Sequence, residues 1–121
     1  THLQAFTVGE IMQSQLNEFG ALLKKHAVDG IPQISAGDFN IRKTDSVLYP
    51  FMLKALHSDD GELSSEVKYT SDHRTNDMNP YETDIEDLLD YILYKGNGKE
   101  PKSIKREVKI YRHQWSKRNK D

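Results

Sequence analysis

The chain has 121 residues, the size of one domain, and its 17 basic and 19 acidic residues leave a net charge of -2. So small a net charge indicates no general attraction to nucleic acid or to an anionic membrane. The absence of cysteine excludes disulfides and thiolate metal sites. No apolar stretch approaches the roughly 20 residues that cross a bilayer. Because only 36% of the residues are hydrophobic, we expect a thin core that lacks a packing partner.

The chain opens with THLQAF, which we interpret as a short strand. Thr7 and Glu10 have the spacing of a capping box, in which both side chains satisfy backbone N–H groups at a helix start. A helix is therefore predicted to begin near Val8. Gly30 and Pro32 predict its end. Its apolar residues fall on one face at helical spacing: Met12, Leu16, Phe19, Leu23 and Ala27.

A buried strand and a second helix are predicted next. QISA, residues 33–36, is apolar enough for a buried strand, and Asp38 follows its carboxyl end. The second helix is predicted to begin near Asp45 or Ser46, with Pro50 tolerated because it lies close to the first turn. HSDDGE ends that helix. Its apolar face consists of Leu48, Phe51, Met52, Ala55 and Leu56.

The remaining sequence predicts a long connection and two strands. Residues 63–87 are polar and rich in turn formers, so we expect a loop with at most a short strand at residues 67–70. LLDYILY, residues 88–94, is an apolar run of strand length. REVKIYRHQW, residues 106–115, alternates as a strand at a sheet edge does. The order of elements is typical of an α/β fold.

The segment Gly37-Asp38-Phe39-Asn40 places a carboxylate and a carboxamide two residues apart, directly after a predicted strand. Gly-Asp at a strand end is also a common turn. In open α/β sheets, however, ligands collect at the carboxyl ends of strands. On an extended segment residues i and i+2 point the same way, so Asp38 and Asn40 would face one ligand while Phe39 enters the core.

Four short motifs occur along the chain: THLQA at residues 1–5, QSQLNE at 13–18, GDFNI at 37–41 and LDYIL at 89–93. Together and in this order they resemble the C-terminal half of the endonuclease/exonuclease/phosphatase superfamily, and within it the neutral sphingomyelinases. The resemblance spans nearly all of the chain. It implies a fragment of the four-layer α/β/β/α sandwich of the DNase I type, in which residues 1–121 form a single partial domain that lacks both ends.

The resemblance also implies roles for four residues. In this family the Asp of the GDxN motif orients and deprotonates the attacking water, which corresponds to Asp38 here. The neighbouring Asn, here Asn40, donates to the phosphate or to its metal shell, and a His after the preceding strand, here His2, contacts the phosphate. Asp90 matches the carboxylate that orients a catalytic His. Asp38 and Asn40 are also the two positions that could contact Mg²⁺.

Two groups of the family pattern have no counterpart in this sequence. The upstream Glu that binds the essential divalent ion is missing, and so is the terminal Ser-Asp-His segment, which should follow the last strand. Ser71-Asp72-His73 spells the same three residues but comes 17 residues before Asp90, in a predicted polar loop. We therefore expect His73 to be a lookalike that does not belong to the active site.

The function that the resemblance implies is Mg²⁺-dependent hydrolysis of sphingomyelin to ceramide and phosphocholine by the parent protein, with this fragment alone inactive. The substrate would be a phospholipid headgroup, with no stable nucleic-acid partner, and a secreted or membrane-peripheral location is favoured. One alternative is a nuclease or a phosphoinositide phosphatase of the same superfamily, where Arg often stands at the position of Tyr91. Another is a binding domain that kept the fold without catalysis.

Other ionisable residues indicate no further site. His26, His57, His73 and His113 lack metal-ligand spacing, and the acidic run of residues 82–90 lacks the spacing of an EF-hand. The basic residues near the C-terminus are interpreted as a charged edge that opposes aggregation: Lys102, Lys105, Arg106, Lys109, Arg112, Lys117, Arg118 and Lys120.

Overall fold

The structure is a computed structural model that describes residues 1–5, 9–74 and 85–111. In these ranges no helix is both long and apolar enough to cross a membrane. The described elements are two helices separated by one strand, followed by five further strands. In chain order they are α1 Gly9–Lys25, β1 Gln33–Asp38, α2 Leu48–Leu56, β2 Glu62–Leu63, β3 Ser71–Asp72, β4 Glu86–Asp87, β5 Asp90–Lys95 and β6 Lys105–Arg106.

The longest strands, β1 and β5, form an antiparallel pair. Their register runs from Gln33 opposite Lys95 to Asp38 opposite Asp90. On the other side of β1, His2 forms a parallel bridge with Asp38, and the N–H of Leu3 donates to the Asp38 carbonyl at 3.0 Å. The N-terminal segment therefore lies alongside β1 as a third extended segment.

The two faces of the β1–β5 pair differ in what covers them. Ser35, Tyr91 and Leu93 point to one face and are buried. The alternate residues point to the other face, which we call the outer face, and there Ile34 is 68% and Ile92 57% exposed. Residues of the outer face are Ile34, Ala36 and Asp38 from β1 and Asp90, Ile92 and Tyr94 from β5.

Both helices belong to the core on the inner side of this pair. The rings of Phe19 in α1 and Phe39 after β1 lie 6.4 Å apart, and Phe39 meets Tyr91 edge to face at 5.9 Å. At Gly20 the helices approach so closely that a Cβ would overlap the carbonyl oxygen of Ala55. The buried core consists of Leu3, Met12, Leu16, Phe39, Ile41, Met52, Leu56, Leu88, Tyr91 and Leu93.

Helix α2 is delimited by local signals that the sequence contains. One carboxylate oxygen of Asp45 accepts the N–H groups of Val47 and Leu48 at 2.9 and 2.8 Å. Pro50 lies in the first turn, where its missing N–H leaves no bond unmade. His57 adopts a left-handed conformation and ends the helix. The predicted position of this helix is confirmed.

A buried charge cluster joins α2 to the segment around β6. One oxygen of Asp60 accepts from Lys43 Nζ at 2.9 Å, from the Tyr49 hydroxyl at 2.6 Å and from Arg106 Nη2 at 2.6 Å. The Arg106 guanidinium also lies 5.8 Å from the centre of the Tyr91 ring. Burial raises the pKa of Tyr49 and of Tyr91 above the usual value, and the hydrogen bond to Asp60 raises the pKa of Tyr49 further. Both hydroxyls therefore stay protonated at neutral pH.

Several sequence predictions about smaller elements need correction. The predicted strand at residues 67–70 is wrong, because the strand lies at Ser71–Asp72, where a partner is present at β4. Of the edge strand predicted for residues 106–115, the described part up to residue 111 forms a strand only at Arg106, within β6, because the residues from 107 to 111 have no strand partner. The opening strand is reduced to the bridge at His2. Residues 6–8, 75–84 and 112–121, with the Thr7 cap, His113 and half of the basic residues named near the C-terminus, lie outside the described residues.

Candidate active site

Three of the four predicted site residues lie side by side at one end of the sheet. Asp38 occupies the middle, bridged to His2 on one side and paired with Asp90 on the other. Residues opposite each other in adjacent strands project from the same face, so the three side chains share the outer face. We call His2, Asp38 and Asp90 the site row. The sequence contained these residues in separate motifs, and the strand pairing brings them together.

The Asp38 carboxylate has different surroundings on its two oxygens. Oδ1 accepts the backbone N–H of Asn40 at 2.8 Å, which closes a tight turn after β1. Oδ2 lies 3.7 Å from Nε2 of His2. About one third of the Asp38 side chain is exposed. One oxygen thus fixes the carboxylate in the turn, while the other faces the imidazole of His2.

Asn40 lies next to the site, as predicted, but its backbone does not have the extended conformation expected from the sequence. Its φ angle of 51° is left-handed, so the expectation of an extended segment is wrong at this residue. The Asp38 turn causes this, because an Asx turn bends the backbone two residues on. The side-chain amide of Asn40 donates to the Leu3 carbonyl at 2.7 Å. Phe39 is fully buried, as predicted.

Gly37 permits the N-terminal segment to reach the site. A Cβ at this position would overlap the carbonyl oxygen of Thr1, and the φ angle of 145° also disfavours other residues. The Thr1 amino group donates to the Ala36 carbonyl at 2.6 Å. The glycine of the GDFN motif is thus explained by the close approach that places His2 beside Asp38.

Two further contacts hold the loops that carry the site, and sequence reasoning missed both. The Thr70 hydroxyl accepts the N–H groups of Leu89 and Asp90, each at 3.0 Å. Arg42 Nε lies 3.0 Å from a carboxylate oxygen of Asp87 and so links the loop after β1 to the end of β4. These partners are far apart in sequence and have no characteristic spacing, so no motif indicated them.

The Ser71-Asp72-His73 segment is not the strandless loop that the sequence predicted. Ser71 and Asp72 form β3, which pairs with β4 just before β5. The backbone N–H of His73 donates to the Ile85 carbonyl at 2.9 Å. The predicted absence of a strand is wrong because the pairing partner was not recognised. That His73 takes no part in the active site stays a prediction.

The site row contains oxygen donors of the kind that Mg²⁺ prefers, but the described residues do not complete a site. Like charges opposite each other in a sheet repel, so the carboxylates of Asp38 and Asp90 would attract a cation. Mg²⁺ requires about six oxygen ligands in octahedral geometry. Among the described residues, no group of three or more His, Cys, Asp or Glu side chains could hold a metal ion. Asp38 and Asn40 alone therefore do not fit a magnesium centre.

The described fold is similar to that of several solved structures. A β-hairpin deletion mutant of Staphylococcus aureus beta toxin matches with a TM-score of 0.80 and 24% identity, over 97% of this chain and 46% of the toxin. A double mutant of the same toxin with bound magnesium ions matches with a TM-score of 0.79 and 26% identity, over 92% and 41%. Sphingomyelinase C from Streptomyces griseocarneus matches with a TM-score of 0.76 and 24% identity, over 92% and 41%.

The sequence by itself gives no such match, since neither a protein-family model nor a curated protein matches it. The chain spans less than half the length of the three structures. Their likeness rests on the whole described arrangement of helices and strands rather than on one motif. The resemblance to neutral sphingomyelinases that the motifs indicate is thus confirmed in structure: this chain has the fold of one part of a bacterial sphingomyelinase.

Proposed function

We propose that this chain forms part of a metal-dependent phosphodiesterase that hydrolyses sphingomyelin to ceramide and phosphocholine. The main observation in support is the site row, because its three residues come from distant segments and meet at one sheet end. The likeness to a sphingomyelinase C supports the substrate class. A scaffold without catalysis would have no need to align an imidazole and two carboxylates on one face.

In the proposed reaction Asp38 is the base that deprotonates the attacking water. Its Oδ1 is engaged by the Asn40 N–H, so Oδ2 is the oxygen that would take the proton. His2 lies 3.7 Å from that oxygen and would contact a phosphate oxygen through its N–H. Water and phosphate would then meet beside Oδ2 of Asp38.

Asn40 and Asp90 would complete the arrangement from the two sides of Asp38. One amide hydrogen of Asn40 is donated to the Leu3 carbonyl. The second amide hydrogen and the side-chain oxygen could contact the phosphate or water bound to the metal. Asp90 is exposed on the outer face, where its carboxylate would orient a catalytic histidine other than His73.

The proposal extends to cofactor, architecture and location. A beta toxin structure with a similar fold contains magnesium ions, and we propose Mg²⁺ as the cofactor of the intact protein, with most of its ligands supplied by other residues than Asp38 and Asn40. The full domain would be a four-layer α/β/β/α sandwich, secreted or peripheral to a membrane. We expect the 121-residue chain alone to be inactive, because the resemblance implies a metal-binding Glu and a terminal catalytic His that have no counterpart among its motifs.

The test is a set of hydrolysis assays on the intact protein. Sphingomyelin vesicles, plasmid DNA and a phosphoinositide are supplied in parallel, each with and without a chelator, and with samples that lack the protein as the background control. The proposal expects chelator-sensitive release of phosphocholine from sphingomyelin and little cleavage of the other two substrates.

Each other result contradicts the proposal in a distinct way. Cleavage of plasmid DNA or of the phosphoinositide instead would assign the protein to another activity of the same fold. Absence of hydrolysis on all three substrates, together with binding of one of them, would indicate a binding domain. Turnover by the 121-residue chain alone would contradict the inactivity of the isolated chain.

A further inference from the structure

The junction between β4 and β5 is held by a side chain from a distant part of the chain. Thr70 Oγ1 accepts the N–H groups of both Leu89 and Asp90 at 3.0 Å. The Thr70 backbone N–H donates to the Asp87 carbonyl at 3.0 Å. Thr70 therefore contacts three of the four residues from 87 to 90, including Asp90.

The same junction is fixed on its other side by the core. The Phe39 N–H donates to the Leu89 carbonyl at 3.0 Å. The Tyr91 hydroxyl lies 2.7 Å from the Ile41 carbonyl and 3.0 Å from the Leu88 carbonyl, which share its one hydrogen. These bonds hold carbonyl groups, whereas Thr70 holds the N–H groups. A hydroxyl oxygen has two lone pairs and can accept both N–H groups at once, and the branched Thr side chain has few rotamers.

We propose that Thr70 is a positioning residue for Asp90. By accepting the Leu89 and Asp90 N–H groups it fixes the backbone where β5 begins, and so holds the Asp90 carboxylate opposite Asp38 in the site row. The catalytic part of this inference rests on the proposed function, because it requires Asp90 to act in phosphodiester hydrolysis. The structural part, that Thr70 fixes the backbone at Leu89 and Asp90, does not depend on the proposed function.

The surroundings of Thr70 leave room for a methyl group in place of its hydroxyl. Thr70 and Asp90 both line a cavity of about 280 Å³, which Gly37 and Ile92 also border. Valine has the shape of threonine but no hydroxyl, so Thr70→Val removes the two acceptor contacts alone. Thr70→Ser keeps the hydroxyl and removes only a methyl group. Thr70→Ala serves as a second hydroxyl-free variant should the valine protein fail to fold.

The first measurement is amide hydrogen exchange in the 121-residue chain and does not depend on any activity. In Thr70→Val the amides of Leu89 and Asp90 are expected to exchange at least about tenfold faster, because each loses its acceptor. The Phe39 amide, which donates to Leu89, is the internal reference. Thr70→Ser should exchange as the wild type does. Unchanged exchange at Leu89 and Asp90 in Thr70→Val would overturn the proposal.

The second measurement is steady-state hydrolysis by the intact protein. A small displacement of a catalytic group lowers turnover strongly, so Thr70→Val is expected to have a kcat about tenfold lower with little change in KM, and Thr70→Ser should restore it. Ser65→Ala is the matched control, because the Ser65 hydroxyl also accepts a backbone N–H, that of Val108, at 3.0 Å. Its kcat should stay at the wild-type value.

The two measurements separate the positioning inference from the proposed function. Equal losses of kcat in Thr70→Val, Thr70→Ser and Ser65→Ala would overturn the positioning role, since a general loss of stability would explain them. If the intact protein hydrolyses none of the substrates, the proposed function fails and with it the catalytic part of the inference. The exchange rates then decide the structural part alone.

Discussion

In the proposed reaction the two oxygens of Asp38 have different tasks, and this makes an asparagine replacement informative. Asparagine keeps Oδ1, which accepts the Asn40 N–H in the turn, but it cannot act as a base. We expect Asp38→Asn in the intact protein to fold normally and to lose about 10² or more in kcat, the usual contribution of a general base. Hydrolysis assays and a melting curve on the same sample measure both.

A second replacement separates the turn from the chemistry. Asp38→Ala removes the acceptor as well, so it should lose the same activity and in addition about 1 kcal/mol of unfolding free energy. Near-normal turnover by Asp38→Asn would show that another group is the base. Equal stability of the two variants would show that the turn does not depend on Oδ1.

At this scale the sequence indicated candidate residues that the fold brings together, but not their conformations. His2, Asp38 and Asp90 could be found because each lies in a motif whose order along the chain resembles a known family. The left-handed Asn40 could not, since nothing in GDFN distinguishes an extended segment from a turn. Thr70 and Arg42 were missed because their contacts join positions 19 to 45 residues apart.

At the scale of elements, the Asp60 cluster connects α2 to β6 and should be a main source of stability. Asp60→Asn would leave the Arg106 guanidinium, whose side chain is only 9% exposed, without its carboxylate. Breaking one partner of a buried ion pair costs about 3–5 kcal/mol. We expect a loss of that size in the unfolding free energy, measured by urea denaturation.

An exposed ion pair provides the control for this prediction. Lys109 Nζ lies 3.4 Å from a carboxylate oxygen of Glu107, and both side chains are more than half exposed. Solvent-exposed pairs contribute little, so Lys109→Ala should change the unfolding free energy by at most about 0.5 kcal/mol. A loss below about 1 kcal/mol in Asp60→Asn would mean that the cluster is not structurally important.

The raised pKa of the buried tyrosines predicts how stability changes in alkaline solution. In the unfolded chain a tyrosine ionises near its usual pKa of about 10, whereas burial keeps Tyr49 and Tyr91 protonated well above that pH in the fold. Above pH 10 the folded state therefore binds more protons, and stability falls as pH rises, by up to about 1.4 kcal/mol per pH unit and tyrosine. Below pH 10 their contribution is constant.

Urea denaturation between pH 8 and 11 tests this expectation, with Tyr49→Phe as the comparison. The variant loses the hydrogen bond to Asp60 at every pH, but it has no Tyr49 hydroxyl to ionise. The difference in unfolding free energy between wild type and variant should be constant up to about pH 10 and shrink above it. A constant difference up to pH 11 would show that the Tyr49 pKa is not raised.

The sequence predicted those helices and strands whose own residues show a periodic or continuous pattern of apolar side chains. The buried residues Met12 and Leu16 mark the inner face of α1, and the apolar run LLDYILY predicts β5. The two-residue strands β2, β3, β4 and β6 escaped prediction or were misplaced, because each exists through a partner strand distant in sequence. Such pairing leaves no local signal.

At the scale of the whole molecule, the described core lies on one side of the β1–β5 pair only. Both helices, α1 and α2, contribute to that core, while the outer face keeps Ile34 and Ile92 in contact with water. The low hydrophobic content of the sequence agrees with a core on one side, as expected from composition. The similarity to structures more than twice as long concerns this arrangement.

The uncovered outer face has a calorimetric consequence. The heat capacity of unfolding comes from apolar surface that is newly hydrated, and an average chain of 121 residues would show about 1.5 to 1.8 kcal/mol/K. Ile34 and Ile92 are hydrated before unfolding begins, so we expect a value below this range in scanning calorimetry. The double replacement Ile34→Thr with Ile92→Thr should hardly change the heat capacity of unfolding. Leu93→Ala, at a fully buried position, should instead lower the melting temperature. A heat capacity of unfolding above the range would contradict the expectation. A small heat capacity also flattens the dependence of stability on temperature, so this chain should lose stability gradually on warming and resist denaturation in the cold.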